Sequence, residues 1–146
     1  MRATILGVIG FIYVATTAQG QTTGLPHVWS VPGIMNSSAG IGTIIACTNG
    51  STLSQTVAVD VFGSTGAFAD SGSITVAPDA TVLFGTGSVP GTSIDVDLAA
   101  PLISKGHAKI YASGKSLYCT AFLADQGGGQ PYVGLNIVKK TKQKGD

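Results

Sequence analysis

The sequence predicts an all-β domain: a two-sheet sandwich of about eight short antiparallel strands carrying one disulfide. Three observations predict it. Apolar residues alternate with a period of two, which suits half-buried strands. Turn residues recur roughly every 8 to 12 positions, the spacing of a sandwich, and no stretch sustains a helical period.

The alternation is clearest in Thr56–Val61, where Val57, Val59 and Val61 share one face and Thr56 and Asp60 the other. Ser93–Leu98 repeats it with Ile94, Val96 and Leu98 inward. Gly72–Val76 and Thr81–Phe84 flank Ala77-Pro78-Asp79-Ala80, in which proline presets one turn dihedral and Asp tolerates the next, and so read as a hairpin. The other expected strands are Ile41–Thr48, Lys105–Ala112, Leu117–Asp125 and Tyr132–Lys140. Asn49-Gly50, Gly63-Ser64-Thr65-Gly66, Pro90-Gly91, Ser113-Gly114 and 125–131 punctuate them as turns. Ser30-Val31-Pro32-Gly33 recurs as Ser88-Val89-Pro90-Gly91, and both copies read as Pro-Gly turns rather than as a duplication.

Ahead of this domain, Arg2 supplies a positive charge, Ile5 to Ala15 an apolar run, and Thr16 to Gly20 small residues with a polar break. These are the three regions of a secretory signal. The run is about half of the roughly 20 apolar residues that a membrane helix needs. The expected organisation is a signal peptide over 1–20, cleaved after Ala18 or Gly20, one domain over 21–140, and a basic tail over 141–146. A secreted, periplasmic or cell-surface location follows, with no transmembrane span once the signal is gone.

Arg2 is the only arginine, so the chain beyond the signal balances seven lysines against seven aspartates. Four of those lysines, Lys139, Lys140, Lys142 and Lys144, crowd the C-terminus. Without a uniform positive field or an arginine fork, nucleic acid is excluded as a partner. There is no glutamate, and His27 and His107 lie far apart. Metal ligation and acid–base catalysis need such groups in clusters, so no metal, no cofactor and no enzymatic activity are expected. Asp95 and Asp97 share a strand face with the chance of Asp60 beside them, but calcium takes six or more oxygens and they read as solvated charges. No G-x-S-x-G turn presents a nucleophilic serine, and Gly127-Gly128-Gly129 leads into no helix that could cradle phosphate. Asn36-Ser37-Ser38 and Asn49-Gly50-Ser51 match glycosylation acceptors.

In an exported chain, Cys47 and Cys119 are expected to bond to one another. If Cys119 points inward with Leu117, Ala121 and Leu123, then Tyr118 and Phe122 point outward. Likewise Ala108, Ile110 and Ala112 inward turn Lys105, His107, Lys109 and Tyr111 outward, and the last strand adds Tyr132. These seven outward residues form the candidate binding face, because aromatic rings with polar neighbours stack on sugars or seat a protein.

Leu117-Tyr118-Cys119-Thr120-Ala121-Phe122, with Cys47 upstream, resembles the late-strand segment of immunoglobulin-like sandwiches. Val57 through Phe84 resembles small bacterial surface sandwiches. The pattern differs in having Leu117 two positions before the second cysteine and Trp29 ahead of the first. The resemblance implies two sheets bridged by the cysteines and transfers no activity. The expected function is a non-catalytic secreted or cell-envelope module with a structural or adhesive role, its partner a protein, a copy of itself or an envelope polysaccharide. Two alternatives stand beside it. One is a carbohydrate-binding module using Tyr111, Tyr118, Phe122 and Tyr132. The other is a filament subunit in which Gln21–Met35 adds as a strand to the next copy.

Overall fold

A computed structural model describes residues 22, 24–128 and 131–140 of the chain. The expected signal peptide and the 141–146 tail lie outside the described residues. Ten strands follow one another with no helix among the described residues: β1 (His27–Asn36), β2 (Ile41–Asn49), β3 (Gln55–Phe62), β4 (Phe68–Val76), β5 (Thr81–Gly85), β6 (Val96–Asp97), β7 (Ile103–Ala112), β8 (Leu117–Asp125), β9 (Pro131–Leu135) and β10 (Val138–Lys139).

They form a single sheet nearly closed into a barrel. Its path runs β4-β3-β7-β1-β2-β5-β6, with β10 on β1, β8 on β2 and β9 on β8. Between β1 and β2 the only register pair is Asn36 with Gly42, so the sheet folds over at that corner. The chain from β9 to β10 crosses from β8 to β1 and covers the same side. On the opposite side β4 and β6 are not paired by backbone, and Val96 and Leu98 fill the gap. Gly72 admits them, since a Cβ there would lie 2.5 Å from Val96 and 3.0 Å from Leu98.

The alternation expected of the sequence builds the core. Val57, Val59 and Val61 of β3, Ala108 and Ile110 of β7, Val31 and Ile34 of β1, Ile45 of β2 and Phe84 of β5 are fully buried and pack in one cluster. Each such large side chain removed from water contributes about 1.5–3 kcal/mol before entropy is counted. A second, smaller cluster lies on the outer side of the sheet, where Ile44, Val89 and Ala124 pack with Leu83, Ile94 and Phe122.

Cys47 and Cys119 are bonded, as expected. They stand opposite one another in the β2–β8 ladder with a Cα–Cα distance of 4.2 Å. The bridge therefore joins neighbouring strands of one sheet rather than two sheets, a correction to what the immunoglobulin resemblance implies.

Four other expectations change. β1 is a full strand although Pro32-Gly33 reads as a turn. The register shifts between Pro32 and Ile34, and Gly33 takes φ 83°, so the dipeptide forms a bulge that bends the strand without ending it. Ser93–Leu98 keeps only the two residues of β6 as strand, parallel to β5. Tyr132–Lys140 is divided into β9 and β10.

Residues 72–76 and 81–84 do not form a hairpin, because β4 pairs with β3 and β5 with β2. Asn49 is the cause. Its backbone exchanges bonds with Asp79 and Ala80, and its buried amide donates to the carbonyls of Val76 (3.0 Å) and Ala77 (3.2 Å). The turn is thus anchored to the end of β2 and hands the chain from one half of the barrel to the other. Of the two asparagines that match glycosylation acceptors, Asn49 is buried in the fold and the Asn36 amide donates to the Ala100 carbonyl at 2.6 Å.

Candidate functional site

Of the predicted binding residues, four stand together on the outer face of β7. The expected facing is observed: Ala108, Ile110 and Ala112 are buried, while Lys105 is exposed and His107, Lys109 and Tyr111 are half-buried outside. In the β3–β7 ladder Phe62 opposes His107, Asp60 opposes Lys109 and Ala58 opposes Tyr111. Directly opposed side chains share a face and touch. The imidazole of His107 accordingly stacks on the Phe62 ring, centroids 4.8 Å apart and planes 9° apart. Lys109 Nζ lies 4.8 Å from the same ring centroid, and Phe68 meets Phe62 edge-on at 6.0 Å. Next to His107 a shallow hollow of about 230 Å³ is bounded by Gly63, Ser64 and Lys105.

Tyr118 and Phe122 do not join this face. β7 is flanked by β3 and β1, whereas β8 is flanked by β2 and β9, so the outward sides of the two strands point away from a shared core in different directions. Consecutive strands were expected to be neighbours; here the Ser113–Ser116 connection passes between the two halves of the barrel. Tyr118 is 67% exposed and stands alone, its ring lying across Gly50. Phe122 opposes Ile44 and packs into the outer cluster. The side chain of Tyr132 lies outside the described residues.

Sequence reasoning missed Asp60 as part of this region. It is fully buried although it sits on the outer face of β3. Its carboxylate accepts from the Thr22 backbone at 3.0 Å and from the Thr22 hydroxyl at 2.7 Å, so the start of the domain covers it. Burial, then the Asp60 charge and a hydrogen bond to it, raise the Tyr111 pKa. Both histidines are shifted down. Burial and then the charge of Lys109 lower His107. His27 is lowered mainly by burial, with Lys140 and Lys109 adding to it against the bond to Trp29. The signal available in the sequence was a lone aspartate inside a valine-rich strand, a position that demands partners.

One pair looks like a nucleophile and its base: His27 Nε2 is 3.1 Å from Ser30 Oγ. The same nitrogen is 2.8 Å from the Trp29 carbonyl, which can only accept. Nε2 therefore carries the proton and has no lone pair with which to take one from Ser30. Among the described residues no three His, Cys, Asp or Glu side chains come close enough to hold a metal. The three aspartates weighed for calcium are separately engaged: Asp95 accepts from Leu83 N, Asp97 from Ala99 N and Asp60 from Thr22. No helix of the described residues is long and apolar enough to cross a membrane.

Comparison with protein-family models, with characterised proteins and with solved structures finds no match for the chain.

Proposed function

We propose that this chain is an exported, non-catalytic module of the cell envelope or extracellular space with an adhesive role, presenting the outer face of β7, seated on Phe62 of β3, to its partner. The observation that carries the reading is the Phe62–His107–Lys109 arrangement on two central, fully paired strands. A stacked imidazole and a lysine held over a ring are already ordered, so little side-chain entropy is lost when a partner docks. Both groups are donors when charged, which suits a partner rich in carboxylate or hydroxyl oxygens, such as an envelope polysaccharide.

The barrel itself is read as two immunoglobulin-like layers, β4-β3-β7-β1-β10 over β6-β5-β2-β8-β9. The likeness lies in layering and not in the place of the bridge. Retention of the mature protein on envelope polysaccharide tests the adhesive role. His107→Ala with Lys109→Ala is expected to reduce retention several-fold while the melting temperature stays within a few degrees. Equal retention of variant and parent refutes this face as the adhesive one.

A second reading, self-assembly, is favoured by β4, which among the described residues has β3 as its only ladder partner and carries no backbone pairing on its other edge, where Val96 and Leu98 pack at Gly72. The donor segment expected from the sequence is not free for it, since His27–Asn36 is β1 of its own sheet. Gel filtration separates the readings: a monomer at high concentration removes self-assembly.

A further inference from the structure

Away from the β3–β7 face, a groove of about 500 Å³ opens between the first residues of β1, the β7–β8 turn and β10. Its size falls in the range of about 300–1,000 Å³ typical of sites for one small molecule. Pro26, Val28 and Trp29 give it an apolar floor, and Lys115, Lys139 and Lys140 a cationic rim. The fold places each of them. Trp29 opposes Lys139 in the β1–β10 pair, and the Lys140 backbone donates to the Val28 carbonyl at 3.1 Å. Lys115 is carried in by the turn that links the two halves of the barrel.

Two features narrow what such a groove takes. Among the described residues the only other lining side chain is His27, and no described carboxylate balances the three lysines. Lys139 has the Trp29 ring beneath it, 5.8 Å from its ammonium. An uncompensated cationic rim calls for an anion. Among the described lining residues there is no Asn, Gln, Ser, Thr or Tyr, and only the second ring nitrogen of His27 can accept, so a sugar would bury most of its hydroxyls without a side-chain acceptor. The body of the ligand must then be apolar. A volume of about 500 Å³ is that of a site for one molecule.

We propose that this groove binds one monomeric, single-chain anionic amphiphile of the fatty-acid type, its carboxylate held by Lys115, Lys139 and Lys140 and its chain laid along Pro26, Val28 and Trp29. The assignment does not rest on the adhesive reading of the β3–β7 face. Loss of adhesion in the His107 and Lys109 variant leaves it standing.

Trp29 is the only tryptophan of the chain, so its fluorescence reports this groove alone. Decanoate, titrated into the mature protein below its micellar concentration, is expected to give a saturable blue shift that weakens with added salt. Decanol, with the same chain and no charge, and glucuronate, with the charge on a hydroxyl-rich body, are expected to bind at least tenfold more weakly. Lys115→Ala with Lys140→Ala removes two exposed side chains and is expected to raise the decanoate Kd roughly fivefold with melting unchanged, the order expected of exposed charge pairs. Decanol binding as tightly as decanoate overturns the proposal, as does glucuronate matching it. So does a shift seen only with anionic vesicles, or an unchanged Kd in the lysine variant. The decanol and glucuronate comparisons use the unaltered protein, so they decide the matter even if the variant misfolds.

Discussion

On the outer face of β3 and β7, side chains cover one another: His107 and Lys109 lie on Phe62, and Thr22 closes over Asp60. On the outer face of β2 and β8, the chain does the covering. Val89 and Ile94, from the segment between β5 and β6, come down on Ile44, Phe122 and Ala124. That segment turns at Val89-Pro90-Gly91-Thr92, where Gly91 takes φ 75° and Thr92 N bonds the Val89 carbonyl at 3.1 Å. The first face keeps titratable groups, His107, Lys109 and Tyr111, at its surface. The second has become core, and the Cys47–Cys119 bridge lies beneath it, on the inner side of the same two strands. One sheet thus has a polar side and a covered side, and both rest on the same period-two alternation beneath.

The largest effect that separates them should come from the staple. Replacing Cys47 and Cys119 together by alanine is expected to cost roughly 2–4 kcal/mol, because the bridge constrains a long loop of the unfolded chain. Denaturant unfolding measures it, and labelling of the denatured, unreduced protein should find no free thiol. An unchanged midpoint would show that the β2–β8 ladder needs no staple.

The next effect belongs to the other face. Asp60→Ala strips the Thr22 amide and hydroxyl of their acceptor and is expected to cost about 1–3 kcal/mol. Asp60→Asn retains one acceptor oxygen and should lose less. If the two variants melt alike, hydrogen bonding is not what holds Thr22 in place.

Phe122 and Tyr118 then compare covered and bare positions on one strand. Phe122→Ala is expected to cost about 1–2 kcal/mol, below the ~3–5 kcal/mol of a fully buried phenylalanine, because Phe122 is only half-buried. Tyr118→Ala should stay within about 0.5 kcal/mol. Equal losses would mean that the 86–95 segment does not seal the outer cluster.

The smallest effect is the pH response of the two histidines, His107 on the β3–β7 face and His27 at the start of β1. His27 and His107 have pKa values lowered on folding, so the unfolded chain binds more protons near and below pH 6.5. Their contribution to stability is present above pH 6.5 and declines as the pH falls through the folded values. Both rings are partly solvated, so a small decline between pH 7.5 and 5 is expected, and His107→Phe should reduce it. Imidazole NMR titrations with midpoints at or above 6.5 would contradict the shifts.

Much of the architecture is legible residue by residue. The facing of β3, β7 and β8 and the pairing of the cysteines follow from alternation and from the count of two. These are local properties, since a strand's inner and outer residues are set by its own periodicity whichever strand lies beside it. Partner choice is not local. It took the Asn49 amide to turn Ala77–Ala80 from a hairpin into a passage between halves, and a Gly33 bulge to carry β1 through a proline. The candidate face divided for the same reason: the sequence placed Lys105, His107, Lys109, Tyr111, Tyr118 and Phe122 outward, but only the topology could say that β7 and β8 are not neighbours. The buried Asp60 and the lysine-rimmed groove around Trp29 bring together residues far apart in the chain. No period or motif encodes such a meeting, because its energy comes from contacts that exist only once the barrel has closed.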